Sequence, residues 1–258
     1  MTTPASSDLD TVLGKAVAVL RAFGVDDHEL SLAALVERTG LSKTTTHRVA
    51  GDLVHHRLLD RTDLGYRLSG GLFELGLRAS VERSLLELAM PFLQDLYERT
   101  HEIVHLGVRE GTEVVYIAKI TGRRHAVAPS RAGGRMPLHC TAIGKVLLAW
   151  APEGLRREVM TAPLERWTPH TIVAPGRLGQ HLETVLEEGV AYEREESALG
   201  IQCVAAPVLD PDGRPLAAIS VTGPIGRFRP ERHVDAVRAA AQGLGTLVAR
   251  RHSLRAGS

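Results

Sequence analysis

The stretch LSKTTTHRVAGDL, residues 41–53, carries Lys43, Thr44, Thr45, His47 and Arg48 among Thr46, Val49, Ala50 and Leu53, which recur at helical spacing. On a helix that buries the second set, the first set points outward. Those residue types suit nucleic acid: arginine can grip a guanine edge with two bonds, threonine meets a thymine methyl or a phosphate, and lysine neutralises phosphate. A helix face that merely meets water could carry the same residues. A different chemistry is open to Cys140 and Cys203, the only cysteines, with His139 beside the first and His101 and His105 four apart. Such groups could hold zinc or serve an enzyme.

Spacing weakens the enzymatic readings. A phosphate-binding loop at TAIGKV, residues 141–146, would need glycine where His139 stands and Ser or Thr where Val146 stands. No nucleophile-elbow motif accompanies the serines. His101 and His105 straddle a helix end and a strand start rather than sharing one helix face. Cys203 lies in an apolar run and reads as a buried thiol. No metal and no cofactor is expected, and an enzyme or metalloprotein built on His and Cys stands as the alternative function.

The elements that would position these groups fall into two sets. With 258 residues the chain can form two domains, each with a core. Residues 1–8 read as a tail. Apolar spacing predicts helices over 9–23, from Leu32 after an N-capping Ser31, and from Lys43 after Ser42, with Gly40 as the stop between the last two. LLDRTDLGYRLS, residues 58–69, then reads as a short hairpin around Asp63, Leu64 and Gly65. Helix, helix, turn, helix and hairpin make an all-α winged helix-turn-helix with a small β wing over 9–70.

Residues 71–83 read as a linker helix, with the boundary at 80–84 and a further helix over 85–99. From 84 to 258 the pattern is mixed. Strands are expected around Glu110-Gly111 and on both sides of Asp210-Pro211-Asp212-Gly213, which is turn chemistry between apolar runs. Helices are expected at TAIGKVLLAWA, at GRLGQHLETVLEEG and over 231–250. That mixture predicts an α+β domain.

Bulk charge decides nothing about partners. The net charge is +1, and the basic excess expected of a DNA binder appears only locally, over residues 31–67. The N-terminus lacks a basic start and an apolar core, so no signal peptide is expected. No apolar run is long enough for a membrane span, and two cysteines fit a reducing cytoplasm.

Three blocks carry a resemblance to a known family. LSKTTTHRVAGDL followed by YRLSGGLFELG is similar to the N-terminal domain of the IclR family of bacterial transcription regulators. PLHCTAIGKVLLA resembles that family's PLH-x-TA-x-GK-x-LLA segment. REESALGIQCVAAPVLDPDGRPLAAISVTGP is similar to its E-x-x-x-G-x-x-C-[IL]-AAP…AA-[IL]-S-[IV]-[ST]-GP signature. The blocks stand in the family's order and span almost the whole chain. Two positions depart. Arg57 stands where the family often has glycine at the end of the third helix, and Gly51 lies inside that helix, where glycine weakens it by about 1 kcal/mol.

The resemblance implies an operator-binding regulator of double-stranded DNA that works as a homodimer or homotetramer. It implies a GAF-like C-terminal domain that senses a small molecule, often an organic or aromatic acid. Carried over by motif, Ala142 and Ile143 line the turn into the helix, Glu193 sits at an acidic family position, and Cys203, Ser220 and Thr222 fall on two facing strands. Chemistry supports part of this. Free N–H groups at a helix start can hold a carboxylate, and Ser220 and Thr222, two apart on a strand, face one side. Those hydroxyls could instead satisfy each other. Arg123, Arg124, Arg131 and Arg135 read as a solvated loop, and Trp150 and Trp167 are the rings available to stack on an aromatic effector.

Overall fold

The computed structural model describes residues 9–24, 26–76, 78, 80–122 and 128–256. The tail 1–8 and Arg123 and Arg124 lie outside the described residues. The chain divides into two compact units, Met1–Arg83 and Ser84–Ser258.

In the first unit, α1 (Val12–Arg21), α2 (Leu32–Thr39) and α3 (Lys43–His55) precede the hairpin of β1 (Leu59–Arg61) and β2 (Tyr66–Leu68). Each helix starts where a short hydroxyl side chain can accept a terminal N–H. Ser31 Oγ accepts from Ala34 at 3.2 Å, and Ser42 Oγ from Thr45 at 3.2 Å. Gly40 closes α2 in the left-handed conformation, φ 70°. Val19, Leu35, Val49, Ala50, Leu53, Leu59 and Tyr66 form the core. Arg57 adopts φ 58°, so the third helix does end in the left-handed turn usually given to glycine, a conformation that costs a non-glycine residue about 1 kcal/mol. Leu58 N donates to Leu53 O at 2.8 Å, and the Ser69 hydroxyl donates to Arg57 O. These bonds hold the turn against that cost.

Ser69 also starts the next helix, accepting from Gly71 N at 3.1 Å. That helix, α4 (Gly70–Gly76), is followed by α5 (Ser80–Thr100). Residues 80–84, expected as the boundary between domains, are therefore helical, and the division between the two units falls within them. The stretch contains no glycine or proline to stop a helix.

The second unit is built on a six-stranded antiparallel sheet in the order β5-β4-β3-β8-β7-β6. Its strands are β3 (Ile103–Glu110), β4 (Glu113–Ile120), β5 (Arg135–Pro137), β6 (Ala191–Arg194), β7 (Ile201–Leu209) and β8 (Pro215–Pro224). The helices are α6 (Ala142–Ala149), α7 (Glu153–Thr161), α8 (Pro175–Glu188) and α9 (Val234–Ala256), the last preceded by a 3-10 turn, Pro230–His233. Strand alternation splits the sheet into two faces. Val104, Leu106, Val204, Ala206, Ile219 and Val221 pack with α5 and α9. Tyr116, Cys203, Ala205 and Ala218 pack with α6 and α8.

Three short elements differ from expectation. β5 lies in the Arg-rich stretch read as a loop, and its Arg135 pairs with Glu113 at 3.1 Å and with Glu110. Strand β6 has only four residues, and α7 buries only Val159. Neither carries enough apolar period to read from sequence.

Candidate functional site

The exposed face of α3 comes first. Thr46, Val49, Ala50 and Leu53 are buried. Lys43, Thr44, His47 and Arg48 are exposed, and Thr45 is half-buried. Thr45 Oγ1 accepts from Ser42 Oγ at 2.9 Å, which ties it to the cap. Arg48 Nη1 lies 3.5 Å from Asp52 Oδ2, one turn along, with both side chains exposed. So weak a pair leaves the guanidinium available to another acceptor.

A second site sits where α6 starts against the sheet. Thr141 Oγ1 accepts from Gly144 N at 3.0 Å, and Thr141 O accepts from Lys145 N at 2.9 Å. Ala142 and Ile143 are the first two residues of α6, so their amides have no partner within the helix. Two glycines permit the close approach. A Cβ on Gly144 would lie 2.3 Å from Leu138 O, and one on Gly107 would lie 2.9 Å from the Ile143 side chain.

Strand register supplies the opposing wall. Glu193 pairs with Cys203 across β6 and β7, and Cys203 with Thr222 across β7 and β8. Next to that row, Ser220 pairs with His105 across β8 and β3. The row is hydrogen-bonded throughout. Thr222 Oγ1 donates to Cys203 Sγ at 3.0 Å, and Cys203 Sγ donates to Glu193 Oε2 at 2.9 Å. Glu193 Oε1 accepts from the amides of Glu196 and Ser197 at 2.6 and 3.0 Å. Burial raises the Glu193 carboxyl above the usual carboxylate range, against the opposing pull of these donors. Burial likewise pushes the Cys203 thiol well up, so it is not a ready nucleophile.

All the candidate residues of this domain (Ala142, Ile143, Glu193, Cys203, Ser220 and Thr222) line one small cavity of about 20 Å³, room for roughly one water. Sequence reasoning missed His105, Tyr116 and Ser130, which line it too. In the sequence His105 reads only as a metal-ligand candidate beside His101. Its place on the strand facing Ser220 gave a signal only once the register was known. Trp150 and Trp167 are absent from the cavity walls, where Tyr116 supplies the aromatic ring. A larger open groove of about 480 Å³ lies between α9 and the β7–β8 turn, with Trp150 and Arg238 on its walls. It contains none of the candidate effector residues, and the small cavity is the better candidate because polar groups converge there from β3, β6, β7 and β8 and from a helix start.

The zinc alternative finds no support in geometry. His139 Nε2 is spent on Glu165 O at 2.9 Å. Among the described residues no three His, Cys, Asp or Glu side chains converge as metal ligands would. No helix among them is long and apolar enough to cross a membrane.

A winged helix-turn-helix with a polar exposed face, joined in one chain to an α+β unit with a small polar cavity, is the architecture of a DNA-binding transcription regulator. Residues 12–63 match the IclR helix-turn-helix domain, and residues 78–246 match the bacterial transcriptional regulator IclR C-terminal domain. The chain belongs to the IclR family of bacterial transcriptional regulators. It is 35% identical to the HTH-type transcriptional regulator XynR of Escherichia coli K12 over 81% of this chain and 84% of that protein. It is 33% identical to KdgR of the same strain, over 88% of this chain and 90% of that one. A crystal structure of an IclR homolog from Microbacterium hydrocarbonoxydans, complexed with 4-hydroxybenzoate, superposes with a TM-score of 0.86 at 30% identity. The match covers 92% of this chain and 98% of that one. XynR and KdgR are helix-turn-helix transcriptional regulators, and transcriptional regulation through a DNA-binding helix-turn-helix is the function of this protein.

Proposed function

We propose that the effector is a small organic acid, with an aromatic acid the best fit, and that it binds among Ala142, Ile143, Glu193, Cys203, Ser220 and Thr222. The observation that carries this reading is the meeting of two features at one small cavity: the first-turn amides of α6 and a wall of small polar side chains. The amides of Ala142 and Ile143 take the carboxylate, as helix starts favour anions. Tyr116 and Ile143 offer the apolar contact. The homolog bound to 4-hydroxybenzoate supports an aromatic acid.

Lys43, Thr44, Thr45, His47 and Arg48 carry operator contact, with α3 in the major groove. In this reading residues 9–70 bind DNA, 71–83 link, and 84–258 sense the effector. A single winged module touches few base pairs, so the working form is a homodimer or homotetramer on paired half-sites, acting in the cytoplasm. The switch is a shift between subunit arrangements, driven by the effector's different affinity for each.

Ser220→Leu tests the cavity. With an operator selected from random DNA and the acid that releases it, the variant should bind operator within a few-fold of wild type yet ignore the acid. A variant that melts early but still responds would make Ser220 a packing residue, since overfilling a core site costs about 1–3 kcal/mol.

A further inference from the structure

Three observations meet at one side chain that neither the motifs nor the family match assigns. His105 is buried, and its two ring nitrogens face two hydroxyls: Nε2 lies 2.8 Å from Ser130 Oγ, and Nδ1 lies 3.4 Å from Ser220 Oγ. Ser130 lines the cavity from outside the strands and is itself held by Lys119 Nζ, which donates to Ser130 O at 2.6 Å. The Tyr116 ring stands edge-on to the imidazole, 5.1 Å between centroids.

The other polar wall is already closed on itself. The Cys203 thiol hydrogen is spent on Glu193, and the Thr222 hydroxyl hydrogen on Cys203. An incoming ligand finds no spare donor there. A neutral imidazole differs, because it presents one donor and one acceptor. Burial depresses His105 to about 3, helped by nearby Lys119, so the ring stays neutral at physiological pH. The cavity of about 20 Å³ cannot admit a ring as it stands, so an aromatic acid must displace part of its wall.

We propose that His105 is the specificity-determining residue of the effector cavity: it exchanges the Ser130 hydroxyl for a hydroxyl on the effector and so selects a hydroxylated aromatic acid. This rests on the effector reading above. The exchange is like for like, O–H for O–H, and leaves both imidazole nitrogens bonded. An aromatic acid without the hydroxyl would displace Ser130 and leave a buried ring nitrogen unpaired. Sites built to bond a hydroxyl reject the analogue lacking it by large factors.

The test is titration calorimetry on the full chain with benzoate and the three hydroxybenzoate isomers, using wild type, His105→Phe and Ser130→Ala. At least one isomer should bind wild type about tenfold or more tightly than benzoate. His105→Phe should bring that isomer and benzoate within about threefold by weakening the isomer alone. Ser130→Ala, which removes the competing hydroxyl, should tighten the isomer several-fold; should His105→Phe fail to fold, this variant decides. Equal binding of benzoate and every isomer by wild type, a preference that survives His105→Phe, or no gain in Ser130→Ala overturns the role of His105 and leaves the effector reading standing. Failure of all four acids to bind wild type overturns the aromatic-acid reading, and this inference with it.

Discussion

Lys145 and Glu196 form an ion pair inside the sensing domain, with Nζ donating to Oε1 at 2.5 Å and side-chain exposures of 0% and 8%. Lys145 lies on the helix whose start lines the cavity. Glu196 belongs to the loop whose amides bind Glu193. The second oxygen of Glu196 has no partner among the described residues, so the carboxylate depends on the lysine, and burial raises its pKa. Lys145→Met should therefore destabilise the domain by about 3–5 kcal/mol, because a buried charge loses its counter-ion. The double variant Lys145→Met/Glu196→Leu should recover most of that loss. Urea melts of all three proteins check this, and a harmless Lys145→Met would refute it.

Reading of DNA by α3 has two separable signatures. Arg48→Ala should cost about 1–3 kcal/mol on the operator and little on unrelated DNA, as expected of a base contact. Lys43→Ala should weaken all sequences alike and lower the slope of log affinity against log salt by about one. Unchanged binding in both variants would remove α3 from the groove.

Assembly is expected to use the exposed apolar residues of the first unit. Val12 and Leu13 on α1 are 68% and 73% exposed, and Phe73 on α4 is 70% exposed. Apolar side chains left so bare mark association surfaces when they form a patch. Leu13→Glu with Phe73→Glu should yield monomers by light scattering and lose operator binding. A wild type that is monomeric at micromolar concentration with operator present would rule out the dimer.

Acid should unfold the sensing domain partly through His105. In the unfolded chain an imidazole titrates near 6.5, whereas burial holds His105 down to about 3 and His181 to about 4. Below pH 6.5 the unfolded chain takes up protons that the folded chain refuses. Stability from these groups is therefore complete above that pH and is lost as pH falls toward 3. Buried Glu193 and Glu196, both raised, act in the opposite sense and cost stability as pH rises through their folded values. In His105→Phe the slope of unfolding free energy against pH between 6 and 4 should shrink by about one proton. An unaltered slope would mean that His105 charges in the folded state.

Local chemistry alone settled a good deal. Ser31, Ser42 and Gly40 mark helix ends because capping and left-handed stops act within three or four residues of the chain. The outward set on α3 follows from helical spacing, and the Asp210–Gly213 turn from residues that favour tight turns. Ser220 and Thr222 share a face because strands alternate. The tertiary structure decided what depends on partners distant in sequence. His105 and Ser220 are 115 residues apart, and only the β3–β8 register brings them together. Arg135 is a strand residue because β4 offers it an edge, where it pairs with Val115, and β6 exists because β7 offers it an edge. Lys145 has no reason to be buried until Glu196 arrives from a loop after β6. Short elements and buried polar pairs gain their free energy from neighbours rather than from their own sequence, so only the folded chain shows them.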